Sequence, residues 1–312
     1  MTKIAPKEAF ERAVKAVRLE ATDIVPRAEW PAFSREVMRA LTGLSKTSSG
    51  GRHIALACWK WTRRKKKDKG ASEWGWGQTG WAKHGATHGA GYFKDVGDVV
   101  KFKPEKLEHR TEEELAEEFE RMFKEAQERV GDKAIILPSH YHTCFHYGLA
   151  YFGCILERLA DLSKRVFRAW AKVLGIHAFI SHDDIATTKG PAFHPDWLRE
   201  NVLVHYPRIW RLLKERGVKI IFCSDGNITP LLDDLAEAGA DGFIIERYVP
   251  LESIVERFGG RKLIFGNVDE RVLTFGTPED VWREVERCLK VGGGRPGHVL
   301  NACHLLHNIP LR

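Results

Sequence analysis

From about residue 130 onward, short unbroken apolar runs alternate with amphipathic stretches, and this alternation constrains the fold more than any other feature of the chain. The runs are KAIILP (133–138), HAFIS (177–181), VKIIFC (218–223), DGFII (241–245), KLIFG (262–266) and GHVLN (297–301). Each is apolar at consecutive positions, as a strand covered on both faces must be, which predicts a parallel sheet with crossover helices. Helices are predicted over 111–130, 195–216, 230–239 and 278–291. The last has a legible start: Thr277 caps, Pro278 suits the first helical position, and Glu279 and Asp280 complement the positive end of the dipole. Gly239 closes the helix before it.

A chain of 312 residues, 43% of them hydrophobic, can bury one large core. That length suits a single barrel of roughly 250 residues plus decoration. The expectation is an α/β fold, a (β/α)8 TIM-type barrel, as one domain over 1–312. The first 110 residues are less regular. ERAVKAVRLE reads as an amphipathic helix, and GGRHIALACWKW contains a plausible first strand. Residues 60–110, rich in glycine and tryptophan, read as an insertion passing over the barrel mouth, with tryptophan rings in a pocket wall or in core packing.

The net charge of +7 suggests a nucleic-acid partner until its source is located: much of it lies in RRKKKDKG (63–70), which reads as a solvated loop. No segment matches a nucleic-acid module. No apolar run approaches the ~18 residues of a membrane span, and the charged, amphipathic start is unlike a signal peptide. The six cysteines are sparse and irregularly spaced, which argues against a secreted disulfide framework. A cytoplasmic protein with reduced thiols is expected.

In such a barrel the active groups sit just past the carboxyl ends of the strands. There the sequence places SHYHTCFH, HDDI, SDGN, ERY, NVDE and ACHLLH. Histidines, carboxylates and cysteines thus recur on one rim, where their chemistry is metal ligation or acid–base work. The plainer alternative is that Asp225, Asn227 and Asp269 cap the helices that follow. Residues two apart on a strand project to one side, so Cys223 and Asp225 would face a common cation, with Cys303 as a third ligand across the mouth. Otherwise Cys223 merely packs, and Asp225 binds a backbone amide or substrate.

HDDIATTKGPAFHPDWLRENVLVHYPRI, VKIIFCSDGNITPLLDDLAEAGADGF, GNVDERVLTFGTPEDVWREVERCL and GHVLNACHLLHNIP together resemble the uroporphyrinogen decarboxylase superfamily over about residues 175–310. That resemblance implies a (β/α) barrel and either decarboxylation of porphyrin precursors or methyl exchange with corrinoid proteins. The decarboxylases carry an arginine-rich R-Q-A-G-R-Y clamp for substrate carboxylates. VPRAEWPAFSRE stands in the comparable region here without it. The methyltransferases hold zinc with a His-x-Cys pair and a distant cysteine. Here Cys223-Ser224-Asp225 keeps the spacing with other ligand types, and Cys303 keeps the distant position.

The resemblance therefore implies a zinc-assisted methyltransferase acting between a small methylated compound, or a methyl acceptor, and a corrinoid protein. Cys223, Asp225 and Cys303 would hold zinc, and Asp183, Asp184 and His304 would be catalytic. His140, His142, Asn227, Glu246 and Asn267 would bind substrate. The alternative is a uroporphyrinogen decarboxylase-like carboxy-lyase working without metal. A homodimer is compatible with either reading, and a non-catalytic binding barrel is disfavoured because so many titratable groups on one rim are costly to bury.

Overall fold

In the computed structural model, residues 6–29, 54–59, 81–82, 85–86, 97, 101, 110–141 and 156–302 are described. Eight strands form one sheet: β1 (Ala28–Glu29), β2 (Ile54–Trp59), β3 (Ile135–Tyr141), β4 (Ala178–His182), β5 (Lys219–Cys223), β6 (Gly242–Ile244), β7 (Leu263–Phe265) and β8 (His298–Val299). They neighbour one another in chain order, and every pairing is parallel. The two edges also meet. Arg27 and Leu300 form a parallel bridge, with Ala28 N–H donating to Leu300 O at 2.9 Å and Leu300 N–H to Pro26 O at 2.8 Å. The sheet is thus an α/β parallel barrel, as the alternation of runs predicts.

Helices connect the strands: α1 (Pro6–Val17), α2 (Glu112–Val130), α3 (Leu156–Ala171), α4 (Pro195–Asn201), α5 (Tyr206–Lys214), α6 (Leu232–Glu237), α7 (Leu251–Phe258), α8 (Glu270–Phe275) and α9 (Pro278–Gly292). The expected start of α9 is present in full: Thr277 and Asp280 form a reciprocal capping box, with Pro278 at the first helical position between them. The single helix expected over 195–216 is instead two, α4 and α5, joined by a 3-10 turn at Leu203–His205. Pro207 explains the break, since its ring removes an N–H and clashes with the preceding turn unless it sits at a helix start. The barrel also begins earlier than the sequence suggests. Its first strand is Ala28–Glu29, two residues too short to leave a periodic signal, and the segment around 54–59 supplies the second. Within 60–110, an antiparallel pair joins Trp81–Ala82 to Gly85–Ala86; most of that expected insertion lies outside the described residues.

Two apolar layers explain why the runs are unbroken. Ile135, Leu137, Ala178, Ile180, Ile221, Ile244, Phe265 and Val299 fill the barrel interior, while Phe179, Ile220, Phe222, Phe243 and Ile264 face the helices. Alternate residues of one strand thus enter different cores. Trp210 and Tyr206 of α5 are fully buried in the outer layer, stacked with ring centroids 4.7 Å apart. Ala13 and Val17 of α1 join the inner layer, and α1 packs on the Gly131–Lys133 turn that leads into β3. The amino-terminal end of the barrel is therefore plugged by α1, and barrels of this kind place their chemistry at the other end.

Candidate functional site

At the tip of β4 the alternation sorts polar side chains into two groups. Ser181 and Asp183 face the helix layer. Trp210 Nε1 donates to Ser181 Oγ at 2.8 Å, and Tyr206 Oη donates to Asp183 Oδ2 at 3.0 Å. His182 and Asp184 follow Ile180 on the barrel side, with His182 Nε2 2.9 Å from Asp184 Oδ1. The same carboxylate oxygen accepts the Asp225 backbone N–H at 3.0 Å, tying the tips of β4 and β5 together. Burial alone would lower the pKa of His182, but the carboxylates of Asp184, Asp225 and Asp183 outweigh it and raise the value.

The CSDGN segment follows β5. Cys223 pairs in register with His182 and lies in the inner apolar cluster. Ser224 is buried; its Oγ accepts the Ile185 N–H at 3.2 Å and donates to Asp225 O at 2.9 Å. Gly226 takes φ +84°, and a Cβ there would stand 2.5 Å from Thr187 O in the hairpin formed by Ala186–Thr187 and Gly190–Pro191. Only glycine lets the loop turn so close to that hairpin. Its N–H donates to Glu246 Oε2 at 2.6 Å, which draws the tip of β6 into the same network.

His182, Asp184 and Asp225 each bring a ligand atom to within 4.8 Å of the others, and theirs is the one such group of three or more among the described residues. Buried imidazole, half-buried carboxylate and exposed carboxylate thus converge past the carboxyl ends of β4 and β5. Sequence reasoning missed His182. The signal was available, because His182-x-Asp184 has the same two-residue spacing that marks Cys223 and Asp225.

The remaining expectations divide. Asp184, Asp225 and Glu246 are brought to one network, whereas Asp183 is fully buried against Tyr206 on the other side of its strand. Cys223, expected as a metal ligand beside Asp225, is outside the three-residue group, 5% exposed in the inner apolar layer. Cys303, His304 and His142 lie outside the described residues.

Three residues expected to bind substrate have partners within the fold. His140 points into the helix layer, Nε2 3.2 Å from Ser163 Oγ and its ring edge-on to Phe167; burial pushes its pKa down to about 3. Its place in β3 puts it opposite in phase to the barrel-facing Leu137. Asn227 serves the following turn, Oδ1 accepting the Thr229 N–H at 3.1 Å. Asn267 is a bracket: Nδ2 donates to Val249 O at 2.8 Å, and Oδ1 accepts from Arg287 at 3.0 Å. Asp269 caps α8 through the Arg271 N–H, the alternative role the sequence allowed.

Comparison with known proteins follows the same part of the chain. A uroporphyrinogen decarboxylase of Thermus thermophilus is 32% identical over 151 residues, covering 48% of this chain and 42% of that protein. One of Streptomyces avermitilis is 29% identical over 168 residues, covering 53% and 45%. The chain thus spans less than half the length of these curated relatives. Among solved structures, a putative vitamin-B12 independent methionine synthase from Listeria monocytogenes is 16% identical with a TM-score of 0.40, covering 60% of this chain and 63% of that one. The Uroporphyrinogen decarboxylase (URO-D) family matches residues 151–311, the stretch that carries β4 to β8 and the three convergent side chains, and the chain belongs to that family.

Proposed function

We propose that the chain is an enzyme that transfers a methyl group between a small methylated compound and a corrinoid carried on a partner protein, assisted by a divalent cation at the barrel mouth. The convergence of His182, Asp184 and Asp225 supports this reading. One imidazole and two carboxylates match the chemistry of a catalytic zinc site with three protein ligands and an open position. The set is harder than the expected Cys223, Asp225 and Cys303, which widens the choice of cation beyond zinc and favours oxygen as the heteroatom that gives up the methyl. When bound, the cation would act as a Lewis acid toward that heteroatom.

The chain's own residues do the rest. Asp184 holds the Asp225 backbone, Glu246 holds Gly226, and the Tyr206 bond to Asp183 anchors the segment between them. In such a transfer the heteroatom–carbon bond would break with the electron pair kept by the heteroatom, the corrinoid supplying the nucleophile that takes the methyl. Glu246, on the barrel side of its strand and 5% exposed, is the acid assigned to reprotonate that heteroatom.

A second reading rests on the relatives' names. In a uroporphyrinogen decarboxylase-like lyase, Asp184 and Asp225 would stabilise a cationic intermediate without metal. Elemental analysis separates the two. Methyl transfer predicts near-stoichiometric metal in the wild type and its loss in Asp184→Asn and Asp225→Asn. It also predicts methylation of free corrinoid from a methoxylated aromatic or a methylamine. Metal-free protein that releases carbon dioxide from uroporphyrinogen would overturn the first reading and establish the second.

A further inference from the structure

The backbone of β8 continues in extended form past its ladder. Val299 belongs to the inner apolar cluster and Leu300 packs against the outer one, so the two-residue alternation turns Asn301 inward. The strand is still bonded there, because Val268 N–H donates to Asn301 O at 3.0 Å. Asn301 therefore lies at the carboxyl end of the barrel, the end that carries His182, Asp184 and Asp225. Its side chain is 2% exposed, and among the described residues neither Oδ1 nor Nδ2 has a hydrogen-bond partner.

A carboxamide buried with both ends unmatched destabilises a fold, and a leucine of similar size would suit an apolar lining better. Asn267 shows the contrast, with both ends of its amide bonded. A cost of this kind is retained where a functional role offsets it.

We propose that the Asn301 carboxamide is a substrate-binding group, taking a non-transferring polar substituent that both donates and accepts a hydrogen bond, such as a hydroxyl. An amide presents an acceptor and a donor side by side in one plane, which matches such a substituent and not a bare ether or hydrocarbon. The inference rests on reading the barrel mouth as the active site.

The test is Asn301→Leu in the full chain, with two readouts. Melting temperature is expected to rise by about 2–4 °C, since an unmatched amide is removed. In methyl transfer to free corrinoid, the wild type is expected to prefer 2-methoxyphenol to methoxybenzene at least about tenfold in kcat/KM, and the variant to lose that preference. A melting temperature at or below that of the wild type makes Asn301 a structural residue and overturns the proposal, as does a raised melting temperature with the preference intact. If neither compound is demethylated, the methyl-transfer reading fails by itself, and the melting shift alone decides the role of Asn301.

Discussion

At the tip of β4, His182 and Asp184 face into the barrel and meet Asp225 from the next strand; at the tip of β7, Asn267 and Asp269 are bound to Arg287 and Arg271. The two tips carry similar residue types. They differ in what surrounds them. The charges acting on His182 are carboxylates, whereas hydrogen bonding to Arg271 foremost holds Asp269 below the usual carboxylate range. A carboxylate already paired with a guanidinium has its charge neutralised and its lone pairs engaged, so little remains for a cation or substrate. Pairing with guanidinium groups, more than residue type, makes the β7 tip a brace.

The sharpest way to break this contrast is at Gly226. Replacing it with alanine puts a Cβ against the Thr187 backbone at a left-handed φ, so Gly226→Ala is expected to destabilise the fold by about 3 kcal/mol and to disperse the β5 tip. Urea unfolding measures the first, and metal content, if the proposed cation is held, the second; a variant with wild-type values for both would show that the close approach does not shape the site. Asn267→Ala should cost about 2 kcal/mol through the lost bonds to Val249 and Arg287. Turnover per folded molecule should stay unchanged, and a fall in kcat would place Asn267 among the substrate contacts after all.

The smallest effect concerns His140. Its folded pKa, about 3, lies below the ordinary value of 6.5, so the unfolded chain takes up the proton first as pH falls. The contribution is complete above about pH 6.5 and declines through the window down to about 3, reaching a loss of about 1.4 kcal/mol at pH 5.5. Other buried histidines, among them His298 and His205, act in the same direction, so the comparison must be a difference. The stability gap between wild type and His140→Gln should narrow as pH drops from 7 to 5.5. A gap independent of pH would mean that His140 is solvated, as a pocket residue would be.

Much of the fold was legible because burial on both faces of a strand writes an unbroken apolar run. Runs such as KIIFC and AFIS survive as β5 and β4 within a residue or two of their expected ends. The helix break at Pro207 was also written in the chain, though it was read as one helix. Short strands leave no such trace, and Ala28–Glu29 is known as a strand only from its partners in β2 and the adjoining bridge between Arg27 and Leu300.

The site was legible in kind and not in membership. HDDI and SDGN supply the three residues that converge, yet which residues of each tip face the axis depends on where the strand begins its alternation. One residue of phase sends Asp183 to Tyr206 and His182 to Asp184.

What the sequence determined by itself was the class of fold, the rim that carries polar chemistry and the glycine that lets the β5 loop turn, because burial and backbone conformation are local demands written residue by residue. The tertiary structure alone decided that Asp184 and Asp225, 41 positions apart, share a hydrogen bond while Asn267 is held by Arg287. Such pairings are set by barrel closure and by the phase of each strand, and neither is a property of any single segment.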